Sequence, residues 1–210
     1  MLLIFIVMTS IHLYASYKKN KKLRDITKPF ILTSLLGYYC YSTDDIRLAI
    51  VPALIFSWIG DVFLIGPGVK WFTIGGISFM ISHFFFILGY IKDITFSSMN
   101  LIIVLILGSL FVIAVSIIFS KLKKHLPKPL FYPMYLYLLI NGAMNCFAVY
   151  RMLSMTNLFT ITTCIGAFLF FISDSTLFFV RFNSESKIKT HFLVMLTYSI
   201  GELLIVLGLI

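Results

Sequence analysis

The chain has 210 residues, 60% of them hydrophobic and 12% charged, with a mean hydropathy of +1.02. These values exclude an ordinary soluble globular domain and point to an integral membrane protein. A net charge of +9 would suggest nucleic acid in a soluble protein, but here the basic residues sit in loops between apolar runs, so no nucleic-acid partner is expected.

The apolar runs predict eight spans, at 1–17, 26–41, 47–66, 71–91, 100–119, 130–150, 158–180 and 190–210. Each approaches the roughly 20 residues that a helix rising about 1.5 Å per residue needs to cross a bilayer. The first run lacks the basic n-region and the A-x-A-like cleavage site of a signal peptide and is read as a short span. Short loops favour antiparallel neighbours. The expected fold is therefore all-α, a polytopic bundle of eight transmembrane helices forming one domain over 1–210, in the cell membrane as a multi-pass protein.

Fourteen of the seventeen Lys and Arg residues follow the odd-numbered spans. Six lie in the stretch from Lys18 to Lys28, and the others are Lys70, then Lys121, Lys123, Lys124 and Lys128, then Arg181, Lys187 and Lys189. Only Arg47, Lys92 and Arg151 fall on the other side, which by the positive-inside rule places the basic loops in the cytoplasm and both termini outside.

Three landmarks recur in order and suggest a parallel repeat of four spans plus four, with halves 1–99 and 100–210. Lys28-Pro29-Phe30 matches Lys128-Pro129-Leu130, and Ile59-Gly60-Asp61 matches Ile172-Ser173-Asp174. Ser82-His83 precedes Leu88-Gly89-Tyr90 at the spacing by which Gly201-Glu202 precedes Leu207-Gly208-Leu209.

An ionised carboxylate in hydrocarbon is costly, about 3 kcal/mol or more, so Asp61 in Leu54–Ile65 and Asp174 in span 7 must be protonated, paired or wet. Counted from the span ends they lie about 7 and 9 Å deep, a shared level. If both face the interior they converge, and two close carboxyls cannot both ionise cheaply. One then keeps a proton beside the other's carboxylate, which is a general acid and base. The alternative is a structural clasp, each carboxyl bonded to backbone or to Lys28.

His83 and Glu202 lie about 18 Å deep on equivalent spans. Tyr198 shares a helix face with Glu202, and Asn141 shares one with Asn145, giving a second, deeper polar layer. Lys28 and Lys128 stand at the cytoplasmic mouth, where an ammonium group can meet phosphate. His12, His125 and His191 fall near that side, away from His83, so no metal site is expected. Cys40, Cys146 and Cys164 fit no metal spacing and read as packing residues. No cofactor box and no obligate protein partner are read from the chain.

Several stretches together resemble the YhhN-like family of multi-pass membrane proteins, which includes the lysoplasmalogenases. They are Lys28-Pro29, the segment Phe56–Val62, Ser82-His83-Phe84, the segment Gly166–Ser175 and the segment Leu196–Gly208. One departure is Glu202, where the family pattern leads one to expect Gln. The resemblance implies an eight-helix ether hydrolase that cleaves the vinyl ether of lysoplasmalogens to a fatty aldehyde and glycerophosphoethanolamine or glycerophosphocholine. It implies that Asp61 and Asp174 form the catalytic pair, acting on a lysophospholipid drawn from the bilayer.

The chemistry of the residues fits such a reaction. Protonation of a vinyl ether at carbon gives an oxocarbenium-like cation, and water addition then yields a hemiacetal. A carboxylic acid and a carboxylate divide this work, as they do on acetals. The expected supporting residues are Lys28 near phosphate, His83 and Asn141 along the alkenyl chain, and Tyr198 and Glu202 in the deeper layer. The principal alternative is a proton-coupled carrier of small molecules or lipids, for which intramembrane acids and parallel repeats are equally natural. An intramembrane aspartyl protease is disfavoured because Trp58 stands where a GxGD motif needs its first Gly.

Overall fold

The computed structural model describes residues 1–95, 98–183 and 191–210, with side chains from 101 onward in the second stretch. Lys187, Lys189 and the expected first residue of span 8 lie outside the described residues. Among those described there are eight α-helices and no strand. The helices are α1 (Leu2–Tyr17), α2 (Lys21–Ser42), α3 (Ile50–Ile65), α4 (Gly68–Ile91), α5 (Ser98–Leu122), α6 (Phe131–Ser154), α7 (Leu158–Phe182) and α8 (His191–Leu207), with a 3₁₀ turn at Lys128–Leu130 before α6.

Four helical stretches among the described residues are long and apolar enough to cross a membrane: Gly68–Ile91, Leu101–Leu122, Lys128–Ser154 and Leu158–Phe182. α1, α3 and α8 are apolar but shorter, at 16, 16 and 17 residues. α2 has 22 residues but opens on a charged turn that includes Lys21, Lys22, Arg24 and Asp25. The most apolar helix, α5, buries only 6% of its apolar window, against 44–56% for the other three. A surface of Leu and Ile this extensive is stable only against lipid or another apolar partner.

Local sequence explains the boundaries. Asn20 caps α2 by accepting from the Leu23 amide at 3.1 Å, and Asn157 and Thr160 form a reciprocal capping box on α7. α3 stops at Gly66, which is extended because Pro67 follows it. Small residues then let hairpins close tightly. A Cβ on Gly60 would lie 2.6 Å from the Phe79 ring, and one on Gly166 would lie 2.7 Å from the Gly201 carbonyl. Thus α3 packs on α4 and α7 on α8 at near-backbone contact.

The remaining hairpins are α1 with α2 and α5 with α6. α4 and α7 both pack on α6, while α2 packs on α3 and α8, so that α2, α3, α4, α6, α7 and α8 surround a common interior. At the end away from the basic loops, buried Arg151 ties helices together. It donates to Asp93 at 2.7 Å, Thr163 at 2.7 Å and the Gly208 carbonyl at 3.0 Å, while Arg47 meets Asp93 at 2.7 Å. All three cysteines are free. Cys146 is buried as a packing residue, but Cys40 is exposed on the outside of α2, so the packing role expected for it is not met.

Candidate functional site

A cavity with about 870 Å³ of atom-free space, part of it open to solvent, enters the bundle at the basic end between α2, α3, α7 and α8. Asp61 and Asp174 both line it, and they lie within electrostatic range of each other. Their partners differ. Asp61, on α3, meets Lys28 Nζ of α2 at 3.1 Å through Oδ1 and accepts from the Tyr198 hydroxyl of α8 at 2.9 Å through Oδ2. Asp174, on α7, accepts from the Tyr137 hydroxyl and, at 2.7 Å, from Asn141 Nδ2, both at Oδ2 and both from α6. One carboxyl is therefore held by a cation and the other by neutral donors.

Lys28 reaches this position because it lies within α2, one turn beyond Arg24, and α2 leans on α3. Trp58 of α3 fixes that contact by donating its indole N–H to the Pro29 carbonyl at 3.0 Å, an acceptor in the helix that Thr33 also uses. The clasp weighed for Lys28 is thus present at Asp61. Lys128, by contrast, is exposed on its 3₁₀ turn and does not line the cavity.

The expected deeper layer is not separate from the aspartates. His83 Nδ1 bonds the Phe79 carbonyl, and Nε2, which has no hydrogen-bond partner among the described residues, faces Asp174 Oδ2 at 3.8 Å. Asn145 donates to the Asn141 carbonyl at 3.0 Å and to its Oδ1 at 3.2 Å, which orients the amide that serves Asp174. A count of residues along each span separates these groups from Asp174, whereas in the structure Asn141 Nδ2 and His83 Nε2 lie 2.7 and 3.8 Å from its Oδ2. Glu202 is fully buried near Ser57, whose hydroxyl is within 2.7 Å of that of Ser82, and by hydrogen-bond geometry neither oxygen of its carboxyl has a partner among the described residues. Tyr198 joins the two regions, and Phe79 and Phe170 pack edge-on against its ring at 6.1 and 5.3 Å.

Beside Lys28, expected at the mouth, stand Arg24 and Arg181, to which the sequence assigned no role at the site. Arg24, Lys28 and Arg181 line the cavity together with His12 and His191, and Lys21 pairs with Asp25 at 2.7 Å on the rim. His12 is held by Thr27 Oγ1 at 2.9 Å. Among the described residues no carboxylate pairs with Arg24 or Arg181, and the Arg181 guanidinium lies over the Phe72 ring, 5.8 Å from its centre. Helical spacing carried the signal: Arg24 precedes Lys28 by four, Tyr137 precedes Asn141 by four, and Arg181 follows Asp174 by seven. Among the described residues no group of three His, Cys, Asp or Glu side chains could hold a metal ion.

The model of the YhhN family matches residues 23–209, a range that includes Asp61, Asp174 and the partners named for them above. No curated protein and no solved structure matches the chain.

Proposed function

The chain belongs to the YhhN family, and from that premise we propose that it is a membrane-embedded hydrolase of the vinyl ether in lysoplasmalogens. The observation that carries the reading is a pair of buried carboxyls, unequally partnered, on one cavity whose mouth is lined by cations.

In this reading Asp174 is the general acid. With its nearest donors neutral, and with a bare imidazole nitrogen facing Oδ2, it suits a carboxyl that carries a proton. It delivers that proton to the vinyl carbon remote from the ether oxygen, leaving an oxocarbenium ion. Asp61, kept ionised by Lys28, stabilises the cation and takes a proton from the water that adds to it. The hemiacetal then collapses to aldehyde and glycerophospho-alcohol. The hydroxyl proton of the hemiacetal passes to the departing alcohol, and water relays the proton taken up by Asp61 back to Asp174, so the net change is addition of one water molecule. Tyr137, Asn141 and His83 orient Asp174, Tyr198 orients Asp61, and Arg24, Lys28 and Arg181 receive the headgroup phosphate.

We read the basic end as cytoplasmic and all eight helices as spans, the shorter ones about 24 Å long against a hydrocarbon core of about 30 Å. We also read the halves 1–99 and 100–210 as a parallel repeat, an arrangement supported by α2 packing on α3 and α8 as α6 packs on α7 and α4. The carrier reading is less well supported, because the cavity opens at the basic end while the Arg47–Asp93–Arg151 network crosses the other.

The test is aldehyde release by purified protein in nanodiscs supplied with an alkenyl lysophospholipid. Wild type is expected to turn over, and Asp61→Asn and Asp174→Asn each to lose about 100-fold or more while still folded, with an unfolding temperature lowered by no more than about 4 °C. Folded wild-type protein that releases no aldehyde would sink the reading.

A further inference from the structure

A second, apolar space lies beside the cavity and none of the chemistry above uses it. This groove, with about 320 Å³ of atom-free space that is partly open to the outside, runs between α4 and the start of α6. From α4 it takes Gly76 and Met80, from the 3₁₀ turn and α6 it takes Leu130, Met134 and Tyr137, and Phe178 of α7 closes it. Gly76 gives it width, since a Cβ there would meet nothing within 4 Å. Ile77, 45% exposed, stands at its lip on the outer face of the bundle.

Two features join the groove to the cavity. Phe72 lines both spaces and packs edge-on against Phe178 at 5.9 Å, so one ring partitions them. Tyr137 lines the groove and donates its hydroxyl to Asp174, which lines the cavity. Passing from cavity to groove, the lining changes from cations through carboxyls and aromatic rings to hydrocarbon. That is the polarity profile of an amphiphile with one anionic head and one chain.

We propose that the α4–α6 groove holds the hydrocarbon chain of a single-chain phospholipid whose phosphate occupies the cationic cavity, and that the lipid enters sideways from the leaflet at the basic end. The groove residues on α4, Phe72 to Met80, cover about 12 Å of helix. They begin one turn above the helix start, so the chain lies within one leaflet. Rotation of the Phe72 ring joins the two spaces. The path differs from one past His83 and Asn141, because both of those are fully buried on the inner side of Asp174.

This inference rests on the reading of the site as one for anionic lysolipids. It is tested by binding to the full-length protein, with a non-hydrolysable long-chain alkyl-ether lysophosphoethanolamine and glycerophosphoethanolamine as probes. Gly76→Phe fills the groove and is expected to weaken the long-chain probe about ten-fold or more while leaving glycerophosphoethanolamine unchanged. Should that variant fold poorly, Gly76→Cys supplies a second measure. The long-chain probe is expected to slow thiol labelling at position 76, read by peptide mass, and glycerophosphoethanolamine to have no effect. Long-chain binding unmoved in Gly76→Phe, or position 76 labelled equally with and without lipid, overturns the groove. Groove-dependent binding without cleavage of any vinyl ether removes the hydrolase reading alone, and cleavage with a KM unmoved in Gly76→Phe removes the groove alone.

Discussion

Replacing Lys28 by Met strands a buried charge, and the structure sets how much that should cost. Lys28 Nζ and Asp61 Oδ1 are 3.1 Å apart, with side chains 14% and 3% exposed. At an effective dielectric of about 20, two unit charges at that separation attract by about 5 kcal/mol, offset in large part by desolvation. The two single variants should not cost the same. Lys28 sits at the mouth, and in Asp61→Asn its ammonium can turn to water, a loss of about 1 kcal/mol. Asp61 cannot turn. In Lys28→Met it keeps, among the described residues, only the Tyr198 hydroxyl and must take up a proton or remain uncompensated, a loss of about 3 kcal/mol. The double variant removes both charges and should lose about 2 kcal/mol rather than the additive 4, a coupling of about 2 kcal/mol. Denaturant unfolding in detergent measures this, followed by tryptophan emission because Trp58 bonds the α2 backbone beside Lys28. Single-variant costs that add, or a Lys28→Met within about 0.5 kcal/mol of wild type, would refute the buried pair.

Four further outcomes concern the rest of the bundle. Burial alone would push the Asp93 carboxyl up, but Arg47 and Arg151 outweigh it and hold the group below the usual carboxylate range. A depressed folded value stabilises above the unfolded value of about 3.9 and stops doing so as pH falls through the folded one, so stability should drop in that acid window and Asp93→Asn should flatten the drop. In the same pH series of unfolding curves, Arg151→Met should cost about 3 kcal/mol at neutral pH, since it leaves Thr163 and the Gly208 carbonyl without their donor as well. Gly166→Ala should cost about 1–3 kcal/mol, because its Cβ would meet the Gly201 carbonyl at 2.7 Å. Gly108→Ala, whose Cβ would find only Cys146 Sγ at 3.9 Å among the described residues, should gain about 0.5–1 kcal/mol in the same unfolding curves.

The helices were legible because their signal is local: long apolar runs, separated by Lys-rich turns, leave little choice of element. The two aspartates were legible for the same reason, since a carboxyl in such a run stands out against its neighbours. Their partners depend on which helix leans on which, and residue counts along a span do not carry that. Asn141 stands out in the sequence because it shares a helix face with Asn145, whereas Tyr137, one turn before it, does not stand out in a Phe- and Tyr-rich chain. The lateral groove depends on the absence of a side chain at Gly76, which in sequence looks like any small residue at a helix contact.

The sharpest lesson lies in the two Lys-Pro landmarks, which read as equivalents. Under the proposed repeat, α2 should serve Asp61 as α6 serves Asp174, and each helix does supply a partner to the aspartate of the next. The local structures differ, however. Lys28-Pro29 lies inside α2, which starts at Lys21, so Lys28 projects from a helix face onto α3. Lys128-Pro129 lies in a 3₁₀ turn, and α6 starts only at Phe131, so Lys128 falls outside the helix and stays exposed. Asp174 therefore receives Tyr137 and Asn141, from farther along α6, in place of a lysine. A difference in where a helix begins, invisible in the matched motif, gives one aspartate a cation and leaves the other with neutral donors. Two carboxyls with identical surroundings would have no reason to divide the roles of acid and base; this displaced helix start supplies one.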